Sequence, residues 1–128
     1  MAGETIAILN TTKQTVLGER IRVAETALSR MVGLLRDRGL EPGCGLLIYP
    51  SQAIHTVAMR FPIDVVYLDR DGTVVHISEN LQPWRFARVC LEAASVLELP
   101  RQALAATGTV VGDKIEITLE RCGKTSAR

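Results

Sequence analysis

The segment IDVVYLDRDGTVVHI, residues 63–77, contains two short apolar runs separated by the turn sequence Asp69-Arg70-Asp71-Gly72. Both runs are rich in β-branched and aromatic residues, which fit the pleated surface of a β-sheet. Asp and Gly tolerate the backbone conformations that a tight hairpin turn requires. The segment therefore predicts two antiparallel strands, at residues 63–68 and 73–77, joined by a hairpin.

Short strands of the same kind are predicted on both sides of this hairpin. In RIRVA, residues 20–24, arginine and apolar side chains alternate strictly, as is typical of a half-buried strand. The remaining predicted strands lie at residues 5–9, 46–49, 55–60, 93–99 and 114–119. Turn signals recur about every eight to twelve residues, a spacing that is typical of a β-sandwich or β-barrel rather than of alternating β-α units.

One longer segment has the periodicity of an amphipathic helix, over about residues 26–38. Its apolar side chains form one stripe: Leu28, Met31, Val32 and Leu35. Thr26 can cap the first turn, and Gly39 can end the helix. A short helical turn is also predicted near residues 100–106. We therefore expect a mainly β barrel or sandwich of about eight short strands, with one packed helix and this helical turn.

Length and charge limit the number of domains and the kinds of partner. A chain of 128 residues fits one hydrophobic core. We expect a single domain over residues 1–128, with its core at about residues 5–120 and a flexible tail at 121–128. The net charge of +1 gives no general positive field for binding nucleic acid. Every uninterrupted apolar run is too short to cross a membrane.

The amino terminus and the cysteines favour a cytoplasmic protein. Residues 1–9 lack the basic region and the long apolar region of a signal peptide. Cys44, Cys90 and Cys122 are odd in number and widely spaced, so they do not form a disulfide framework. The alternative is an exported protein, if the start of the chain was trimmed.

Residue spacing indicates neither a cofactor nor a metal site. His55 and His76 lie far apart, and no pair of cysteines is near either of them. The segment from Asp69 to Gly72 resembles the start of a calcium loop but lacks its later oxygen ligands, so a hairpin turn is the better interpretation. The glycines do not form a phosphate-binding loop between a strand and a helix.

Three ionisable residues within otherwise apolar strands form the centre of the candidate site: His55, Asp64 and Glu98. A carboxylate among apolar neighbours is costly unless it is paired or well hydrogen-bonded. Asp64 therefore either points to solvent or has a dedicated partner, such as nearby backbone N–H groups. Glu98 either lies at a sheet rim or sits in a polar recess, with Arg60 or Arg85 as its partner. His55 is either a hydrogen-bonded core residue or an acid, base or ligand in such a recess.

Trp84 and Arg85 complete the candidate site. The only tryptophan follows Pro83 in a predicted bend, and is either a core residue or a stacking platform at the mouth of a pocket. Arg85 and Arg88 offer an edge for binding an anion. Our hypothesis is that His55, Asp64 and Glu98 converge with Trp84 and Arg85 in one polar pocket.

These residues fit three classes of function. The first is a binding module for a modest polar ligand of the saccharide or carboxylate type. The second is a structural or protein-interaction module without a ligand. The third is a hydrolase-like enzyme that uses His55 with Asp64 or Glu98. Whether the protein is an enzyme stays open, and the sequence does not indicate its oligomeric state.

An ordered set of fragments resembles a known family. The fragments are Arg30, Gly33 and Leu34; Gly45-Leu46-Leu47; Ile54-His55-Thr56; residues 59–66; Leu68-Asp69 with Gly72; Pro83-Trp84; Val96-Leu97-Glu98-Leu99; and Gly112-Asp113. Over roughly residues 20–119 they resemble the uncharacterised bacterial and archaeal family "domain of unknown function 192". The resemblance implies a compact, mainly β domain with one packed helix, and it implies no particular activity.

The sequence departs from the family pattern at one place. Members usually hold an aromatic residue between the His-Thr pair and the following Met, where this chain has Val57 and Ala58. If that aromatic side chain lines a pocket in the family, the pocket is wider or empty there in this protein.

Overall fold

The computed structural model describes residues 5–25 and 38–120 of the chain. Its elements are β1 (Thr5–Asn10), β2 (Thr15–Ala24), β3 (Cys44–Ile48), β4 (Ile63–Leu68), β5 (Val74–Leu81), β6 (Ser95–Pro100), α1 (Ala103–Thr107) and β7 (Ile115–Glu120). The mainly β class is confirmed, with seven strands in the described residues. The predicted helix of about residues 26–38 lies outside the described residues except for Arg38, and the predicted tail at 121–128 lies outside them entirely.

All seven strands belong to one sheet, in the order β5-β4-β6-β3-β2-β1-β7. Neighbouring strands are antiparallel except β2 and β3, which run parallel. The sheet curls into a half-barrel, and its two edges approach each other where Thr73 bridges Lys114. The bonds that form this bridge run from Val74 N–H to Asp113 O (2.9 Å) and from Ile115 N–H to Gly72 O (2.7 Å), and Gly112 N–H donates a third bond between the edges, to Val74 O (2.8 Å).

The two faces of the sheet carry separate hydrophobic cores. The inner core joins residues from both ends of the strand order: Ile6, Ile8, Leu17, Ile21, Leu47, Val66, Leu68, Val74, Leu97, Leu99, Leu104 and Ile115. Only the concave side of a curled sheet brings such distant strands together. The outer core consists of Ala24, Leu46, Ile48, Met59, Ile63, Val65, Tyr67, Ala93 and Val96. Met59 and Ala93 come from connections between strands, so these connections cover the outer face.

Two segments within these connections bind each other, and we call them the loop pair: residues 52–57 and 84–90. Backbone hydrogen bonds run from Trp84 N–H to Thr56 O (2.8 Å), from Thr56 N–H to Arg85 O (2.8 Å) and from Ala87 N–H to Ile54 O (3.0 Å). The predicted strand at residues 55–60 is therefore wrong, since His55 forms only an isolated bridge with Phe86. Ala58 has a left-handed backbone (φ 69°), which interrupts an extended conformation.

The predicted hairpin between β4 and β5 is confirmed. Asp69 Oδ1 accepts hydrogen bonds from the N–H groups of Asp71 and Thr73, both at 2.9 Å. Gly72 has the positive φ (83°) that the turn requires. The predicted helical turn near residues 100–106 begins later, at Ala103, because Pro100 still belongs to β6 and Gln102 is left-handed. Among the described residues, no helix has the length and hydropathy needed to span a membrane.

Candidate functional site

The loop pair brings together three of the five candidate residues: His55, Trp84 and Arg85. Thr56, which is fully buried, holds them in place. Its hydroxyl donates to Gln82 O (2.6 Å) and accepts from Arg85 N–H (2.9 Å), while its carbonyl accepts from Trp84 N–H (2.8 Å). No pattern in the sequence marked Thr56 for this role, although it immediately follows His55.

Trp84 is an exposed residue rather than a core residue. It is 63% exposed. Its backbone is left-handed (φ 65°), a conformation that is rare for a bulky residue and that persists only where neighbouring structure enforces it. The hydrogen bond from its N–H to Thr56 O helps to hold this conformation. The interpretation of Trp84 as part of the core is therefore wrong.

His55 is also exposed, which excludes the interpretation as a buried core histidine. Its ring lies edge-to-face with Phe86, at a centroid distance of 6.2 Å and an interplanar angle of 62°. Its Nδ1 accepts a hydrogen bond from Val57 N–H (3.2 Å). In the neutral ring this leaves Nε2 as the N–H donor.

The segment that contains Trp84 also carries two arginines. Arg85 and Arg88 are both exposed. The hydrogen bond from the Arg85 guanidinium to its neighbour is long, 3.5 Å from Nη1 to Trp84 O. Planar guanidinium groups in such positions suit the recognition of a carboxylate.

Glu98 lies beneath the loops rather than at the surface with Trp84. It is 3% exposed, and its cross-strand neighbours Leu46 and Val65 both belong to the outer core. Within the described part of the chain, its buried Oε1 has no hydrogen-bond partner. Burial raises the pKa of Glu98 to about 8, so its carboxyl group is mostly protonated at neutral pH.

Tyr67 connects this buried layer to the loop pair. It is fully buried on the same face as Glu98, and its hydroxyl donates to Arg88 O (2.6 Å). Burial, together with the nearby Cys90, raises the pKa of Tyr67 to about 12. Its ring contacts His76 edge-to-face at 5.1 Å. Burial, together with the charge of Arg88, lowers the pKa of His76.

Asp64 does not share a recess with the other candidates. It pairs with Leu99 of the inner core, whereas Glu98 pairs with Val65 of the outer core, so the two carboxyl groups lie on opposite faces. Asp64 Oδ1 accepts from Asn80 N–H (2.8 Å), and Oδ2 accepts from Leu104 N–H (2.9 Å). The predicted convergence is therefore wrong for Asp64, which the main chain satisfies individually, and also for Glu98, which is buried below the exposed Trp84.

This separation also bears on the hydrolase-like alternative. Asp64 lies on the face of the sheet opposite to the loop pair, and backbone N–H groups hold both of its carboxylate oxygens, so it is not placed to act with His55. Asp64 is 1% exposed, and neither carboxyl group shares the surface position of His55. Within residues 5–25 and 38–120, no group of three or more His, Cys, Asp or Glu side chains is arranged to hold a metal ion.

A separate groove of about 1070 Å³ lies near the hairpin between β4 and β5. Its walls include inner-core residues such as Ile6, Leu47 and Leu68, and its charged residues include Arg70 and Glu92. None of the five candidate residues lines it. The groove thus lies apart from His55, Trp84 and Arg85, although Gln52 of the loop pair is one of its lining residues. No pattern in the sequence predicted it.

Comparisons with known proteins agree with this architecture. Residues 7–117 match the model of DUF192, a family described as "Uncharacterized ACR". A UPF0127 protein of Pyrococcus furiosus is 30% identical over 85% of this chain and 96% of its own length. A UPF0127 protein of Pyrococcus abyssi is 32% identical over 85% of this chain and 95% of its own length.

Two solved structures are also similar. A Novosphingobium aromaticivorans protein of unknown function has a TM-score of 0.74 at 22% identity, covering 87% of this chain and 82% of its own. A Sinorhizobium meliloti protein, described as a candidate transcription regulator, has a TM-score of 0.76 at 25% identity, covering 90% of this chain and 93% of its own. With the family model matched over nearly the whole described chain, this protein belongs to the DUF192 family.

Proposed function

We propose that this protein is a small binding module whose ligand site is the loop pair, around His55, Trp84 and Arg85. The ligand is a modest polar molecule of the saccharide or carboxylate type. One observation carries the proposal: Trp84 exposes its indole while its backbone has an uncommon left-handed conformation, and the next residue is an exposed arginine.

Each of the three side chains has a distinct role in this proposal. The indole of Trp84 offers an apolar face on which a sugar ring can stack. The guanidinium of Arg85 offers paired donors for a carboxylate. His55 Nε2 is a further donor, because Nδ1 already accepts a bond from Val57. A uronic acid, which combines a sugar ring with a carboxylate, satisfies all three.

Glu98 has an indirect role in the proposed site. The unpartnered Oε1 is a hydrogen-bonding group in the layer below the loops, and Tyr67 on the same face is bonded to Arg88 O above it. Because Glu98 is buried, we assign it the positioning of the loops rather than contact with the ligand. Asp64 has no place in the proposed site.

The proposal also concerns the location of the protein and its other partners. We propose that it acts in the cytoplasm, where the thiols of Cys44 and Cys90, both unpaired, would stay reduced. The proposal excludes nucleic acid as a partner, because the net charge of +1 offers no extended basic surface. The groove near the hairpin is not part of the site.

The single tryptophan allows a direct test. Titration of the protein with galacturonate, galactose and succinate, followed by tryptophan fluorescence, reports on the surroundings of Trp84 alone. We expect a saturable change with galacturonate and a weaker one with each of the others. Calorimetry should show that Trp84→Ala removes binding and that Arg85→Gln reduces it about tenfold.

Arg101→Gln is the matched control, because Arg101 is an exposed arginine outside the loop pair. It should leave galacturonate binding unchanged. If millimolar concentrations of all three compounds leave both the fluorescence and the melting temperature of the wild type unchanged, this ligand class is wrong.

A further inference from the structure

One loop exposes an unusual amount of apolar surface. Phe86 is 82% exposed, Val89 60% and Leu91 78%, and all lie within six consecutive residues. We call these three side chains the apolar loop surface. Scattered single apolar residues on a protein surface need no explanation, but a concentrated set marks a site of interaction.

Charged residues of opposite sign flank the part of this surface from Val89 to Leu91. Arg88 directly precedes Val89, and Glu92 directly follows Leu91. Both are exposed, and the structure shows no ion pair between either of them and any described residue. The segment 88–92 is therefore basic at one end and acidic at the other, and such a segment is complementary to an inverted copy of itself.

We propose that the apolar loop surface binds a second copy of this chain, with two-fold symmetry. With the two segments antiparallel and the axis near Cys90, Arg88 of one copy lies opposite Glu92 of the other. Val89 then lies opposite Leu91. A two-fold interface must be complementary to itself, and this order of charged and apolar residues meets that condition.

The loop pair gives the proposed interface a preformed shape. Hydrogen bonds from Ala87 N–H to Ile54 O (3.0 Å) and from Cys90 N–H to Gln52 O (2.9 Å) hold the segment against its neighbour. Gln52 Nε2 adds a bond to Leu91 O (2.8 Å). Because this backbone is already ordered, association loses less conformational entropy than it would from a free loop. The interface is small, so the dimer should be a weak one.

Analytical ultracentrifugation over a wide range of protein concentration tests the proposal. The wild type should show a reversible equilibrium between monomer and dimer. Leu91→Asp should raise the dimer Kd at least tenfold, because it places a charge in the apolar contact. Arg88→Glu and Glu92→Arg should each raise it several-fold. The double variant, R88E with E92R, should restore the wild-type Kd to within about twofold, since the charges are exchanged but remain complementary.

Val111→Asp serves as the control, because Val111 is also exposed (55%) but lies outside the loop pair. It should leave the dimer Kd unchanged. A wild type that stays monomeric at all concentrations overturns the proposal, including one that instead binds phosphatidylglycerol vesicles. A double variant whose dimer Kd is no lower than that of the single variants also overturns the proposal. The test does not use galacturonate, so its failure is distinct from failure of the proposed ligand.

Discussion

At the scale of single residues, the burial of Glu98 makes the stability of the folded protein depend on pH. Its carboxyl group is almost entirely shielded from water, so burial raises its pKa to about 8 in the folded protein. In the unfolded chain water solvates the group and its pKa is near 4.5. Between these values the folded protein binds more protons than the unfolded protein. The free energy of unfolding therefore decreases as pH rises through this window.

The Glu98→Gln variant should lack this contribution, because an amide has the shape of the protonated acid but does not ionise. Relative to the variant, the wild type should lose roughly 1.4 kcal/mol of unfolding free energy per pH unit between about pH 5 and 8. Urea denaturation at several pH values measures both profiles. The lowered pKa of His76 contributes at lower pH, but it is present in both proteins and cancels in the difference.

Glu79→Gln is the control for this experiment, since Glu79 is an exposed glutamate on β5. Its stability profile should follow that of the wild type. Parallel profiles for the wild type and Glu98→Gln over the whole window would mean that water reaches Glu98 or that a donor compensates its charge.

At the scale of elements, Asp64 joins β4 to two neighbouring elements. The pairing of β4 with β5 shifts by one residue between Ile63 and Val65, and the extra length in β5 includes the left-handed Asn80. Asp64 Oδ1 accepts the Asn80 N–H from this bulge. Its Oδ2 accepts the Leu104 N–H in the first turn of α1, where Gln102 provides no side-chain cap.

Asp64→Asn should therefore destabilise the protein by about 2–3 kcal/mol, because an amide keeps one acceptor and turns an NH₂ donor toward a backbone N–H. Urea denaturation measures the loss, and hydrogen exchange of the Asn80 and Leu104 amides should become faster. Asp71→Asn, in the exposed hairpin, should change stability by less than about 0.5 kcal/mol. A similarly small effect at Asp64 would show that its two bonds are dispensable.

Elements whose determinants are local were predictable, whereas those that depend on distant partners were not. The hairpin at residues 69–72 was predicted because its turn residues are consecutive. The alternation of His55, Val57 and Met59 suggested a strand, but the partner segment begins only at Trp84 and Ala58 interrupts the extended backbone.

The candidate site shows the same limit. The sequence identified Asp64 as a carboxylate that needs partners, but its donors lie 16 and 40 residues away. Whether Asp64 and Glu98 share a face depends on the register between β4 and β6, which no local pattern determines. The exposure of Trp84 likewise depends on Thr56, a residue in another segment of the chain.

At the scale of the whole molecule, closure of the half-barrel depends on a short contact between its two edges. Gly72 lies at this contact, and its carbonyl accepts the Ile115 N–H (2.7 Å). A nearby buried cluster supports the contact: Asn10 Nδ2 donates to Thr109 Oγ1 and to Asp113 Oδ2, both at 2.9 Å. Lys13 pairs with Asp113 at 2.8 Å. The inner core is thus enclosed by a contact between residues far apart in the sequence.

Gly72→Ala tests how much this closure contributes, and Gly108→Ala is its matched control. Both glycines have positive φ, 83° and 72°, so each variant should lose about 1 kcal/mol of unfolding free energy because alanine disfavours the left-handed conformation. A Cβ at Gly108 meets nothing within 4 Å, whereas one at Gly72 would lie 2.6 Å from Ile115 O. Gly72→Ala must therefore also separate the two edges, and should lose at least about 2 kcal/mol more than the control in urea denaturation. Equal losses in the two variants would show that the edges part without cost, and that the sheet holds its curvature without this contact.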